Sequence, residues 1–313
     1  MITYYHPYIF TSLLKMKTIT TLLPVLFILL LLSCQKENLE TSENFKTLEE
    51  INIKLSKEIE LDVLLSKDII IIDDNCFYLV GGHSIAVLDS SFTQINSITP
   101  KIPYGSIFSF VVESPNSMYL IYGTGSPDKK IAQIDSLGNI LNTYGGDNNH
   151  YMLLALDLLN NRLFISQHNN GYEIQSLDLS SKNISTICSM DKLITNLYVS
   201  QFDNKLYLTA YYPDNHVEYI ENNQEVLLYK FDSIPSYYKA QVAASLKKDN
   251  FLLSSFIYTH ITLQITDLNT KVSRLIIENP NDDYFYFKRL KYYNNKLYVI
   301  TSDYKLQIFD INW

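Results

Sequence analysis

The stretch "NNKLYVITSDYKLQIFDINW" (Asn294–Trp313) reads as two alternating strands joined by a short polar turn, with only Ile311, Asn312 and Trp313 after Asp310. Two strands alone do not make a stable sheet in water. Where their partners come from decides the fold.

The first of these strands has five relatives upstream. "YNNKLYVI" (Tyr293–Ile300) repeats "DDNCFYLV" (Asp73–Val80), "SPNSMYLI" (Ser114–Ile121), "LNNRLFIS" (Leu159–Ser166), "FDNKLYLT" (Phe202–Thr209) and "KKDNFLLS" (Lys247–Ser254). With Asn75, Asn116, Asn161, Asn204, Asp249 and Asn295 as equivalent, the copies recur every 41 to 46 residues. Each copy has an apolar run, a turn of Asn, Asp or Pro, an alternating strand, a polar turn and a third strand ending in Asp. Those aspartates are Asp89, Asp135, Asp178, Asp232, Asp267 and Asp310. Alternation marks strands, and Asn-Asn or Asp-Asn pairs supply the backbone freedom of tight hairpins. No helical periodicity competes with this pattern downstream of the N-terminal apolar segment, so the class is all-β.

Repeats of this length, each one small antiparallel sheet, are the pattern of a β-propeller, and six copies predict six blades. A solenoid is the rival, but it requires distinct capping repeats at its ends. Here the ends are complementary. The sixth copy lacks a fourth strand, and "INIKLSKEIELDV" (Ile51–Val63) has apolar residues at 51, 53, 55, 59, 61 and 63, a period of two. Part of this segment is expected to pair with "KLQIFDI" as the outer strand of the last blade, closing the ring.

Composition agrees. Apolar content of 47% with 25 tyrosines suits half-buried pleated surfaces. Cys76 and Cys188 fall in apolar runs of different repeats and are expected as buried thiols, ring closure taking the place of a disulfide framework.

The first 33 residues contain no Asp or Glu, and after Lys15 and Lys17 comes "TITTLLPVLFILLLLSC", ending at Cys34. The apolar run is shorter than the ~20 residues of a bilayer-spanning helix and suits a secretory signal. "LLSC" resembles a bacterial lipobox, with Leu31, Ser33 and Cys34 in the expected places, which makes Cys34 the lipidated residue. The alternative is a plain signal anchor with an incidental thiol. Residues 1–33 are thus read as a signal, with Met16 the more conventional start, residues 34–50 as a polar tether, and residues 51–313 as the propeller. Taking Lys15 and Lys17 from 25 basic residues leaves 23 against 33 acidic, a mature net charge of −10. That balance argues against nucleic acid, whose phosphates require basic partners. Membrane attachment is expected through the N-terminal lipid alone.

With lipobox and repeats together, the chain resembles the six-bladed propeller lipoproteins of Bacteroidota, a broad TolB-like or NHL-like group. The resemblance implies an outer-membrane lipid anchor, and "CQKEN" partly resembles that group's signal for export to the cell surface. It carries over fold and anchoring, and no catalytic residue.

In a propeller the loops joining second to third strands and fourth to first strands share one face. The second-to-third turns read as "GGHS" (Gly81–Ser84), "YGTGSPDK" (Tyr122–Lys129), "QHNNG" (Gln167–Gly171), "YYPDNHVEYIENN" (Tyr211–Asn223), "IYTH" (Ile257–His260) and "TSDY" (Thr301–Tyr304). His83, His168, His216 and His260 fall there, and His150 lies in the connection "GGDNNHY". Imidazoles, tyrosines and amides on one concave face suit a protein, peptide or glycan. The ligand-binding candidates are His83, Tyr122, His150, His168, Tyr211, Tyr212, His216, His260, Asp303 and Tyr304. For any single histidine, toleration in a polar loop is the competing explanation. From turn residue to terminal Asp the copies span 14, 19, 17, 28, 18 and 15 residues, so the fourth holds about ten extra, assigned to an extended hairpin over Pro213–Asn223. No metal or cofactor is expected, since the histidines come from different repeats without a close pair or HExxH. No GxSxG or glycine-rich phosphate loop appears. A binding protein without catalysis is therefore the first reading. A hydrolase or lyase acting on a sugar or lactone, with His83, His168 or His260 as base, is the second, and a purely structural lipoprotein the third.

Overall fold

The computed structural model describes residues 47–62, 67–125, 128–145, 150–168, 171–211, 215–231, 241–257, 261–279 and 287–313. Strand β1 (Asn52–Glu60) stands apart in sequence. Blade one holds β2 (Asp68–Asp73), β3 (Cys76–Val80), β4 (Ile85–Leu88) and β5 (Gln94–Ile98). Blade two holds β6 (Ser106–Ser114), β7 (Ser117–Gly123), β8 (Lys130–Ile134) and β9 (Ile140–Tyr144). Blade three holds β10 (Tyr151–Asp157), β11 (Arg162–His168), β12 (Tyr172–Asp178) and β13 (Ile184–Met190). Blade four holds β14 (Leu193–Val199), β15 (Leu206–Tyr211), β16 (His216–Glu221) and β17 (Gln224–Lys230). Blade five holds β18 (Gln241–Lys248), β19 (Phe251–Ile257), β20 (Ile261–Asp267) and β21 (Ser273–Asn279), and blade six holds β22 (Phe287–Tyr293), β23 (Lys296–Thr301) and β24 (Lys305–Asn312). Five sheets run in sequence order, and the sixth has the order β1-β24-β23-β22. The first strands β2, β6, β10, β14, β18 and β22 neighbour one another in turn, and β22 returns to β2. The protein is a six-bladed β-propeller, with no helix among the described residues.

The expected closure is present. β1 pairs antiparallel with β24 from Asn52 opposite Asn312 to Glu60 opposite Lys305. Ser56 Oγ donates to Ile308 O at 3.0 Å, and an Arg274 guanidinium nitrogen donates to Ile51 O at 2.6 Å. The simple alternation needs one correction. A β-bulge between Leu55 and Lys57 inverts the faces, since one extra residue shifts a period of two. Ile51 and Ile53 therefore pack into the core between blades five and six, whereas Ile59 and Leu61 pack between blades six and one. Leu55, beside the bulge, is 44% exposed.

Six hydrophobic clusters follow the six blade interfaces. Second strands are buried on both faces, as in "CFYLV" and "KLYVIT", which makes them the most recognisable part of each repeat. Fourth strands face solvent: β5 is exposed at four of its five residues. The recurring turn residue has a backbone reason too, because Asn161, Asn204, Asp249 and Asn295 all have φ between 49° and 58°, the left-handed region that Asn and Asp tolerate. Cys76 and Cys188 are unbonded thiols, half-buried.

The terminal aspartates brace the turn after the third strand. Asp89, Asp135, Asp178 and Asp267 each accept backbone N–H bonds from two residues of that turn. Asp232 lies outside the described residues, and among the described residues the fourth repeat shows an ordinary third strand where the extended hairpin was expected. Residues 216–221 of the supposed insertion are β16, and Asn222 and Asn223 are a two-residue turn with φ of 52° and 62° leading into β17. The apparent surplus is the fourth strand itself. The longer span arises because this blade uses an Asn-Asn hairpin in place of the aspartate-braced turn.

Candidate functional site

Most of the face nominated from sequence is described, but its histidines occupy separate places. His83 is exposed in a turn closed by a hydrogen bond from Gly81 N to Ser84 O, 2.9 Å. Ile107 N donates to Gly82 O at 2.7 Å, so this turn of blade one is tied to the first strand of blade two. His150 and His168 do meet: their ring centroids are 6.0 Å apart, edge to face, and His168 N donates to His150 O at 3.0 Å. His168 also stacks on Tyr172, with centroids 4.3 Å apart and planes at 22°. Tyr172 thereby joins the site, although the sequence does not single it out. Its place directly opposite His168 in the β11–β12 register is the signal that finds it.

His216 is corrected from loop to strand. It opens β16, is 7% exposed, and its Nε2 lies 3.2 Å from Glu218 Oε1. Lys192 joins Glu218 and Glu225 in the same group. Burial opposes ionisation of Glu218, but His216 and Lys192 outweigh it and hold the carboxyl below its usual range. This group stitches blade four together and leaves His216 little access to a ligand. Tyr122 is likewise in β7, not the turn, and only 3% exposed, its ring 6.0 Å from the exposed Tyr104. Burial, chiefly, raises the Tyr122 phenol. Asp303 and Tyr304 are exposed in the last second-to-third turn, with Asp303 Oδ2 3.5 Å from Lys305 Nζ and Tyr304 O accepting from Leu61 N at 2.7 Å. Tyr211 ends β15. Cys34, Tyr212 and His260 lie outside the described residues, as does the side chain of Tyr211.

A second feature of this face was not visible in the sequence. Phe108 is the bulged residue of β6, unpaired between Ile107 opposite Tyr122 and Ser109 opposite Ile121. Bulges re-aim a side chain at the rim of a sheet. Two ammonium groups lie against this ring, Lys129 Nζ at 4.2 Å and Lys67 Nζ at 5.5 Å from its centroid. Lys67 Nζ also donates to Ile107 O at 2.8 Å.

The propeller axis offers a cavity of about 260 Å³ at the other end of the first strands. Its wall is largely aliphatic, with Ile70, Val112, Leu154 and Leu197 among its members, and its polar groups include Tyr198, Gln201 and Lys291. No described histidine lines it. Among the described residues no three His, Cys, Asp or Glu side chains gather as a metal site.

The class, a six-bladed β-propeller, rests on the strand topology. No family model matches the chain, and no curated protein does. Among solved structures it is similar to the computationally designed Ika8 protein, at 12% identity over 78% of this chain and 83% of that one, with a TM-score of 0.49.

Proposed function

We propose that the protein is a lipid-anchored propeller lipoprotein of the outer membrane that binds a protein, peptide or glycan partner on the face bearing His83, His150 and His168, without catalysis of its own. The observation that carries this reading is the group His150, His168 and Tyr172, where stacked and edge-on rings present an amphipathic platform at the end of a rigid sheet. Hydrolysis or lysis instead needs a base within hydrogen-bond reach of a positioned substrate; the second reading would place His83 or His168 in that role.

The test is capture from native envelope with the full chain and with a His168→Ala/Tyr172→Ala variant. Loss of the captured partner at an unchanged thermal midpoint is expected. Equal capture by the variant overturns the reading. Anchoring is checked separately: Cys34→Ser is expected to abolish incorporation of labelled fatty acid and to move the protein from the membrane fraction to the soluble one.

A further inference from the structure

We propose that Lys67, Phe108 and Lys129 form a clamp for the carboxylate of an acidic sugar. The inference deepens the reading of this face as a binding face, and rests on it.

The two cations converge on one ring from different blades. Lys67 lies just before the first strand of blade one, and Lys129 in the second-to-third loop of blade two. Neither forms an ion pair among the described residues. Asp128, although adjacent in sequence, is exposed and paired with neither. Burial alone acts on both ammoniums, lowering them from the ordinary lysine value, with no negative charge to offset it. Lys192 shows the contrast: burial opposes its charge as well, but Glu218 and Glu225 raise it above the ordinary value. Two half-sunk ammoniums beside one ring and without a carboxylate are a positive site lacking its anion, and a carboxylate that reaches them supplies charge-assisted hydrogen bonds.

Backbone geometry builds the arrangement. Gly105 has φ of +82°, and a Cβ there lies 1.9 Å from Gly123 O. One on Gly123 lies 2.4 Å from Asp128 O. Only glycines let the blade-two loop fold this closely and carry Lys129 over Phe108. The blade-one turn closes the other side, where a Cβ on Gly82 lies 3.7 Å from Lys67 Nζ.

A sugar fits the surroundings better than a peptide. Tyr104, 40% exposed on the same connection as Gly105, offers an aromatic face and a hydroxyl to a pyranose. Exposed His83 adds a hydrogen-bonding group next to Gly82. An extended peptide recruited by strand addition needs a free sheet edge, and the free edges here belong to the fourth strands at the circumference.

The test uses trigalacturonate, its methyl ester and a polyglutamate peptide as probes, with binding to the full chain read by calorimetry. Trigalacturonate is expected to bind about ten-fold or more tightly than its ester. A Lys67→Met/Lys129→Met variant is expected to erase that preference. Because the variant changes a packed rim, a second readout uses the unmodified chain: trigalacturonate should protect Lys67 and Lys129, and not exposed Lys54, from an amine acylating reagent. Equal binding of acid and ester, preference for polyglutamate, no binding of trigalacturonate, or no protection of the two lysines overturns the proposal. If the double variant still captures its native partner from envelope, the carboxylate clamp falls and the binding face stands.

Discussion

Asp89, Asp135 and Asp178 occupy the same place in three successive blades, and each lends a carboxylate oxygen to the turn that follows. Hydrogen bonds from side chain or backbone of that turn hold all three below the ordinary aspartate value of 3.8. The unfolded chain therefore binds protons more readily at these positions. Their stabilisation is complete above the unfolded-state value and is lost as pH falls through the lower folded-state values. Acidification below about pH 4 is expected to lower the urea midpoint. A triple Asp→Asn variant should show a shallower fall in that range, and an identical fall refutes the role. At this scale much was legible in the sequence, because a carboxylate that braces a turn recurs wherever the turn does. The clamp residues were not legible. Lys67 and Lys129 are ordinary loop lysines until the Phe108 bulge brings them to one ring, and a bulge leaves no mark on periodicity.

Single elements varied in legibility with how many of their faces are buried. Second strands, apolar on both sides, were readable in all six repeats, and the left-handed Asn or Asp before most of them gave the register. Fourth strands, solvent-facing and each broken by one bulge against the third strand, carry no clean alternation. Blade four shows the consequence: the span expected as a loop contains the third strand β16, and the unrecognised fourth strand β17 makes that repeat look longer than the others. Its turn makes a specific prediction. Asn222 and Asn223 both sit at positive φ, a conformation that costs a residue with an ordinary Cβ roughly 1–2 kcal/mol. Replacing Asn222 with Val should destabilise the protein by about that amount, whereas Asn223→Gly should be neutral or slightly stabilising. Chemical denaturation of the two variants separates them. A harmless valine means that the tight hairpin is not fixed by these two residues.

The whole molecule depends on how the ring is closed, and the bulges bear on that as well. The outer edge of a propeller presents one unpaired strand per blade, and exposed edges invite pairing with other chains. A bulge in every third-to-fourth strand pair twists each of these edges away from a flat template. Blade six is the exception in connectivity, because its edge is β1 and not a strand that follows from β24. Leu48, Ile51 and Ile53 enter the core between blades five and six, and Ile59 and Leu61 that between six and one. Burying a large aliphatic side chain is worth about 1.5–3 kcal/mol. Five of them, even discounted for partial burial, weigh heavily against a net stability of ~5–15 kcal/mol. A chain beginning at residue 62 is thus expected to lose cooperative unfolding and to self-associate through the bared edge of β24, whereas one beginning at residue 47 should keep the full chain's elution volume and midpoint. A synthetic peptide spanning residues 48–61 should restore the transition when added to the shorter chain, since it supplies both the ladder and the side chains that fill the two adjoining interfaces. Calorimetry and gel filtration measure each of these outcomes. If the shorter chain unfolds at the same temperature as the longer, the ring is held by its six first strands, and pairing between the ends of the sequence is dispensable.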